Sequence, residues 1–164
     1  WNAEAEEIKK IVAYGGGAMV FGANFSVGVN IFYQVVDHAA ELIRRFNEYE
    51  CFIEEQHHSR KLDAPSGTAI KLAEIIENRL NGGDEKGRKV GIASTRAGNI
   101  AGVHRVGFDG PADQILLEHA ARTREGFAGG AVLAAEWIKG RTGVFEFGDV
   151  MFDILKKKKK PDTN

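Results

Sequence analysis

The sequence predicts an α+β fold: a mixed, largely antiparallel sheet with flanking helices. Three observations carry that reading. A long helix-periodic segment and a short strand occupy residues 27–55, three strand-like runs crowd into residues 90–120, and a helical pattern closes that region at residues 125–139. Strands clustered in this way, rather than alternating regularly with helices, point to α+β.

Taken in order, Ala3 to Ala13 carries charge on one side and Ile8, Ile11 and Val12 on the other, a short amphipathic helix that Gly15-Gly16-Gly17 stops. Ala18 to Gly22 is an apolar run bounded by glycine and reads as a buried strand, so the start of the chain is half of a βαβ unit. From Val27 to Phe46, Ile31, Val35, Ala39, Leu42 and Phe46 recur at spacings of three and four, with Ser26 as candidate N-cap. Glu50 to Glu55 follows as a strand, and His57 to Gly67 as an irregular stretch.

The next helix is expected over Thr68 to Leu80, with Ile70, Ala73, Ile76 and Leu80 on one face and Asn81-Gly82-Gly83 as its stop. Strands are expected over Val90–Arg96, Val103–Phe108 and Gln114–Ala120, with Asp109-Gly110-Pro111 as the turn between the last two. Glu125 to Lys139 returns to helix, aligning Phe127, Ala131, Ala135 and Ile138, and Gly140 ends it. Lys156 to Lys160 and the residues after it read as a solvated basic tail.

Composition excludes several function classes. A net charge of −1 supplies no global field for nucleic acid or an anionic membrane. No apolar run approaches the roughly 20 residues that a membrane span needs, and nothing at the N-terminus resembles a signal peptide. One cysteine, Cys51, forbids an internal disulfide and fits a reducing compartment, so a cytoplasmic location is expected. The chain opens on Trp1 without a methionine, the mark of a fragment or a processed chain.

Chemistry concentrates in one segment, Glu54 through Ala69. His57 and His58 stand at a strand end, where neighbouring side chains face opposite ways and can take different roles. Lys61 lies three residues beyond His58, and an imidazole with a nearby ammonium can move a proton and hold an anion. Pro65-Ser66-Gly67-Thr68 then leads into a helix. The first N–H groups of a helix lack internal acceptors, Gly67 lets a ligand approach the backbone, and Thr68 adds a hydroxyl, so a carboxylate or phosphate fits there. Alone, such a tetrapeptide is more often a plain cap; its company here favours a site. Asp63 is expected to bond local backbone N–H groups and shape the turn. No metal site is expected, because no third ligand stands at a recognisable spacing and Cys51 is not nearby in a ligand pattern.

The run His57-His58-Ser59-Arg60-Lys61-Leu62-Asp63-Ala64-Pro65-Ser66-Gly67-Thr68-Ala69 resembles the signature of 4-hydroxy-tetrahydrodipicolinate (dihydrodipicolinate) reductases of lysine and diaminopimelate synthesis. Three further blocks resemble the same family in the same order: Ala23 to Asn30, Arg96 to His104, and Arg124 to Ala131 with Ala134 to Trp137. The resemblance implies that His57 is the general acid–base residue and Lys61 the second catalytic group. It implies that His58, Gly67 and Thr68 bind the carboxylates of a small cyclic dicarboxylate, and that the hydride comes from NADH or NADPH. Gly22, Ala23, Asn24 and Phe25 would lie near the nicotinamide, although Phe25 read by itself serves equally as core. The domain plan that follows is a remnant of a truncated Rossmann-type dinucleotide-binding domain at 1–25, a substrate-binding, catalytic and oligomerisation domain at 26–140, a segment returning to the cofactor domain at 141–155, and a basic disordered tail at 156–164.

By the same resemblance the strands of residues 90–120 would pack against other subunits in a homotetramer. No Gly-x-Gly-x-x-Gly is present; Gly15-Gly16-Gly17 follows a helix and precedes a strand, the wrong context for a phosphate loop. The preference between the two dinucleotides is therefore not written in this chain. Two readings compete with the reductase: a non-catalytic oligomerisation or ligand-binding module of the same fold, and a related dehydrogenase of another small acid.

Overall fold

The computed structural model describes residues 4–82, 84 and 87–156. The expected starting residues Trp1 to Ala3, Gly83 of the helix stop and residues 157–164 of the basic tail lie outside them; Lys156 ends a helix. Packing divides the chain into two compact units, residues 28–126 and residues 1–27 with 127–164.

The central unit is built on a four-stranded sheet. In chain order the elements are α1 (Ala5–Tyr14), β1 (Ala18–Phe21), α2 (Val27–Ile43), β2 (Glu50–His57), α3 (Gly67–Asn81), β3 (Gly91–Arg96), β4 (Val103–Asp109), β5 (Gln114–Ala120), α4 (Glu125–Trp137), β6 (Gly143–Glu146) and α5 (Phe147–Lys156). The sheet order is β3-β2-β4-β5, with β2 and β3 parallel and both other pairs antiparallel. The parallel pair needs a crossover, and α3 supplies it. This is the mixed sheet with flanking helices that the sequence predicts.

One sheet face carries the core. Ile53, Val106 and Phe108 meet Val29, Phe32, Val36 and Ala40 of α2 and Ala69, Leu72 and Ile76 of α3. Each large aliphatic side chain buried here contributes roughly 1.5–3 kcal/mol. The other face presents Arg105 between Glu54 and Glu118, at 3.0 and 2.6 Å.

The buried stripe of α2 differs from the one expected. Val29, Phe32, Tyr33, Val36, Ala40 and Ile43 point inward, while Ile31, Val35, Leu42 and Phe46 are exposed. The helix is apolar on more than one side, so spacing alone selects either stripe. In α3, Ala73 and Ile76 are buried as expected, but Ile70 is exposed and Leu72 and Ala69 take its place.

In the terminal unit β1 and β6 pair in parallel, from Ala18↔Gly143 to Phe21↔Glu146. Ala134, Phe147, Val150 and Met151 form its core, with Phe25 packed beside them. The strand β6 and helix α5 were not anticipated, being too short for their periodicity to register. The sequence predicts a central domain reaching residue 140; packing assigns Phe127 onward to the terminal unit, where α4 buries Gly130 and Ala134. A Cβ on Gly130 would collide with the Phe25 carbonyl oxygen, so only glycine fits there.

Candidate active site

Alternation along β2 builds the site. Ile53, Glu55 and His57 are buried on the same side of the strand, and Ile53 belongs to the apolar core. Register carries the pattern to the next strand: Val106 faces Ile53 and His104 faces Glu55. Across the parallel pair, Arg96 is the partner of His57. Thus the carboxyl end of β2 gathers a carboxylate, two imidazoles and a guanidinium.

Glu55 is 1% exposed. Its Oε1 accepts from the Ser66 backbone N–H at 3.0 Å, the Ser94 hydroxyl at 2.7 Å and Arg96 Nη2 at 2.7 Å. Burial pushes its pKa up, but the hydrogen bonds from Ser66, Arg96 and Ser94 overcome this and hold it at about 2. Its second oxygen, Oε2, has no hydrogen-bond partner among the described residues; it lies 3.4 Å from His57 Nδ1 and 3.7 Å from His104 Nε2.

His57 and His104 meet edge to face with ring centroids 5.0 Å apart. Burial lowers the His57 pKa, Glu55 opposes that, and Lys61 and Arg96 add to it. Burial, with the neighbouring His57, takes His104 down to about 4, so it is a neutral imidazole at physiological pH. Its Nε2 lies 3.2 Å from the Ser66 hydroxyl.

Ser66 is also the N-cap of α3, its side chain accepting from the Ala69 N–H at 3.2 Å. The helix start is therefore tied to β2 by Glu55 and to β4 by His104. Gly67 is the first helical residue, and a Cβ there would meet nothing within 4 Å: the space over the helix N-terminus is open. Thr68 is buried in the next position.

Lys61 pairs with Asp63 at 2.7 Å. The Asp63 carboxylate accepts from its own backbone N–H, as the sequence predicts, and also holds the Lys61 ammonium, while its carbonyl accepts from Arg96 Nη2 at 2.6 Å. His58 lines a cavity of about 240 Å³ with Arg60, Asn99, Ala101, Thr123 and Arg124. Gly22 to Phe25 follow β1 in the terminal unit. There the Asn24 carboxamide oxygen accepts from the Ser26 N–H at 2.8 Å, and the Phe25 ring packs on Phe147 with centroids 4.8 Å apart.

Donor atoms of Glu55, His57 and His104 lie within 4.8 Å of one another, so the fold supplies the third ligand that sequence spacing did not show. The charges argue against a cation there. Arg96 neutralises the single anionic donor, and His104 Nε2 is engaged with Ser66, which leaves a dication to be held by neutral imidazoles beside a guanidinium. The cluster is held by hydrogen bonds at Glu55 Oε1 and between Ser66 and His104, with His57 packed beside them.

The profile described as "Dihydrodipicolinate reductase, C-terminus" matches residues 28–151. The 4-hydroxy-tetrahydrodipicolinate reductase of Christiangramia forsetii is 37% identical over 95% of this chain and 68% of its own length. The chain belongs to the dihydrodipicolinate reductase family. The reductases of Methanosarcina acetivorans and Methanosarcina barkeri are 40% and 37% identical over 80% and 88% of this chain, and it spans 53% and 57% of their length. Dipicolinate-bound dihydrodipicolinate reductase from Paenisporosarcina sp. TG-14 shares the fold, with a TM-score of 0.67 at 20% identity over 89% of this chain and 59% of that one.

Within this dihydrodipicolinate reductase segment, sequence reasoning missed Glu55, Arg96, His104 and the inward role of Ser66. A signal for Glu55 was present: a charged residue in the inward-facing set Ile53-Glu55-His57 must be paired. Arg96 and His104 declare themselves only through register.

Proposed function

We propose that this chain carries the acid–base and carboxylate-binding part of an NAD(P)H-dependent reductase that converts 4-hydroxy-tetrahydrodipicolinate to tetrahydrodipicolinate in lysine and diaminopimelate biosynthesis. One observation supports it above the rest: the buried Glu55 binds the first turn of α3 through Ser66 N–H and stands beside the His57 ring. A proton donor and an anion-binding helix start are thereby fixed to one group.

In this reading His57 delivers a proton to the substrate ring. Lys61, released from Asp63, assists it and balances negative charge. His58, Gly67 and Thr68 take the carboxylates, Gly67 through its open backbone at the positive end of the α3 dipole. Gly22, Ala23, Asn24 and Phe25 would border the nicotinamide; they leave the carboxyl end of β1 in a parallel pair, where α/β folds bind dinucleotides. The bound dinucleotide, NADH or NADPH, supplies the hydride. The family's homotetramer would use the open face of the sheet, and a cytoplasmic location would suit the single cysteine. Among the described residues no helix is long and apolar enough to cross a membrane.

The test is His57→Asn in a polypeptide carrying a complete dinucleotide-binding domain. Loss of a general acid lowers kcat by about 10²–10⁴ with KM little changed. An unchanged kcat rejects the acid role, and with it the reading of this cluster as an active site.

A further inference from the structure

We propose that Glu55 is a positioning residue that fixes His57 in its Nδ1–H form and so turns Nε2 toward the reacting ring. This rests on the reading of His57 as the proton donor: the imidazolium gives its Nε2 proton to the ring and is left as the neutral Nδ1–H form, which Glu55 holds. The argument is geometric. Three donors saturate Oε1 of Glu55, namely the Ser66 N–H, the Ser94 hydroxyl and Arg96 Nη2, which fixes the carboxylate plane. Its remaining oxygen stands 3.4 Å from His57 Nδ1, and the side chain has no exposed surface. A fixed, buried anion beside one ring nitrogen favours the proton on that nitrogen.

The other nitrogen, Nε2, faces Gly102. A Cβ built there would lie 3.3 Å from Nε2, and the φ of 150° at this glycine disfavours any L side chain. No side chain at position 102 therefore covers the edge of the ring that carries Nε2.

Glu55 also receives the Ser66 N–H, so the same carboxylate aligns the imidazole with the start of α3. Its loss would disturb the proton donor and the anion cradle together. The groups facing His57 are Glu55 on its own strand, Lys61 and Asp63 from the following loop, Arg96 on β3 and His104 on β4. Among these only Glu55 presents an otherwise unsatisfied acceptor at 3.4 Å from Nδ1.

Substitution Glu55→Gln separates this role from a structural one. The amide oxygen keeps the place of Oε1 because three donors demand an acceptor, so the NH₂ group must replace Oε2. A donor then faces Nδ1, and the favoured form becomes Nε2–H. The experiment is ¹⁵N spectroscopy of the imidazole rings in the chain as it stands, at about pH 8 where neutral histidine prevails. His57 is assigned by the peaks that vanish in His57→Asn.

The expected result is Nδ1–H in the parent and Nε2–H in E55Q, with the His57 titration midpoint shifted downward in the variant. Nε2–H in the parent overturns the proposal, whether or not E55Q folds. So does an unchanged Nδ1–H form in a folded E55Q, the result of a purely structural role. The measurement needs neither dinucleotide nor substrate. Failure of the reductase reading appears only in turnover, and failure of this one only in the ring spectra.

Discussion

The two ends of the inward face of β2 obey the same geometry and hold opposite chemistry. At one step Ile53 faces Val106 in a dry core; at the next Glu55 faces His104 in a hydrogen-bonded cluster. Ile53 and Glu55 are each 1% exposed. The apolar step gains from burial alone. The polar step must first overcome desolvation, which it does through three donors on one oxygen, and such a cluster adds little net stability over an apolar one. That difference is the reason the proposed site is placed here: buried charge at a strand end, beside a helix N-terminus, adds little stability of its own.

The first way to break the comparison is to empty both steps. Glu55→Ala takes the acceptor from the buried Ser66 N–H and from the Ser94 hydroxyl and the balancing charge from Arg96, and should cost about 3–5 kcal/mol. Ile53→Ala should cost about 2–4 kcal/mol through lost burial and a cavity. Urea midpoints of the two variants measure this. If Glu55→Ala costs less than Ile53→Ala, the three hydrogen bonds to Oε1 do not hold the cluster as described.

Acid distinguishes the two steps next, since only one of them titrates. His104 is lowered from 6.5 to about 4, so its neutral form contributes stability that is fully present above pH 6.5 and is lost as pH falls toward 4. Glu55 is lowered from 4.5 to about 2, so its contribution is present above pH 4.5 and is lost as pH falls toward 2. Each limb amounts to roughly 3 kcal/mol at most. Urea unfolding at a series of pH values should show stability declining in these two windows. Replacing His104 with asparagine should make the upper one shallower, the rest of it belonging to His57 and His119, whose burial also lowers their pKa, and an unchanged upper limb would refute its assignment.

How much of this was legible in the sequence follows from the same contrast. Local signals singled out His57, His58 and Lys61 as candidates and gave the Ser66 cap, because strand alternation and helix capping are properties of neighbouring residues. They sufficed for the sheet's strands too, where glycine and proline mark the turns. Glu55, Arg96 and His104 escaped because their meeting depends on register between strands, with Arg96 41 and His104 49 residues from Glu55 in sequence, which no local pattern encodes. The wrong stripe on α2 has a related cause. Ile31, Val35 and Leu42 repeat as regularly as Val29, Phe32 and Val36, and only the sheet decides which set is covered.

The smallest effect on stability separates a cap from a cradle at Gly67. Its φ is not positive, and an added Cβ meets nothing within 4 Å, so Gly67→Ala introduces neither strain nor collision. Alanine in place of glycine restricts the unfolded chain, and the variant should gain about 0.4–1 kcal/mol. If the helix start is only a cap, nothing else changes, since Ser66 and its bond to Ala69 N–H remain. If it is a carboxylate cradle, the new methyl stands where the ligand approaches the backbone. Binding of pyridine-2,6-dicarboxylate, followed by calorimetry, should then weaken by about tenfold or more, equivalent to about 1.4 kcal/mol. Equal affinity in a stabilised variant would return Pro65-Ser66-Gly67-Thr68 to a structural role, and would leave the proposed proton donor at the polar end of β2 without an anion site beside it.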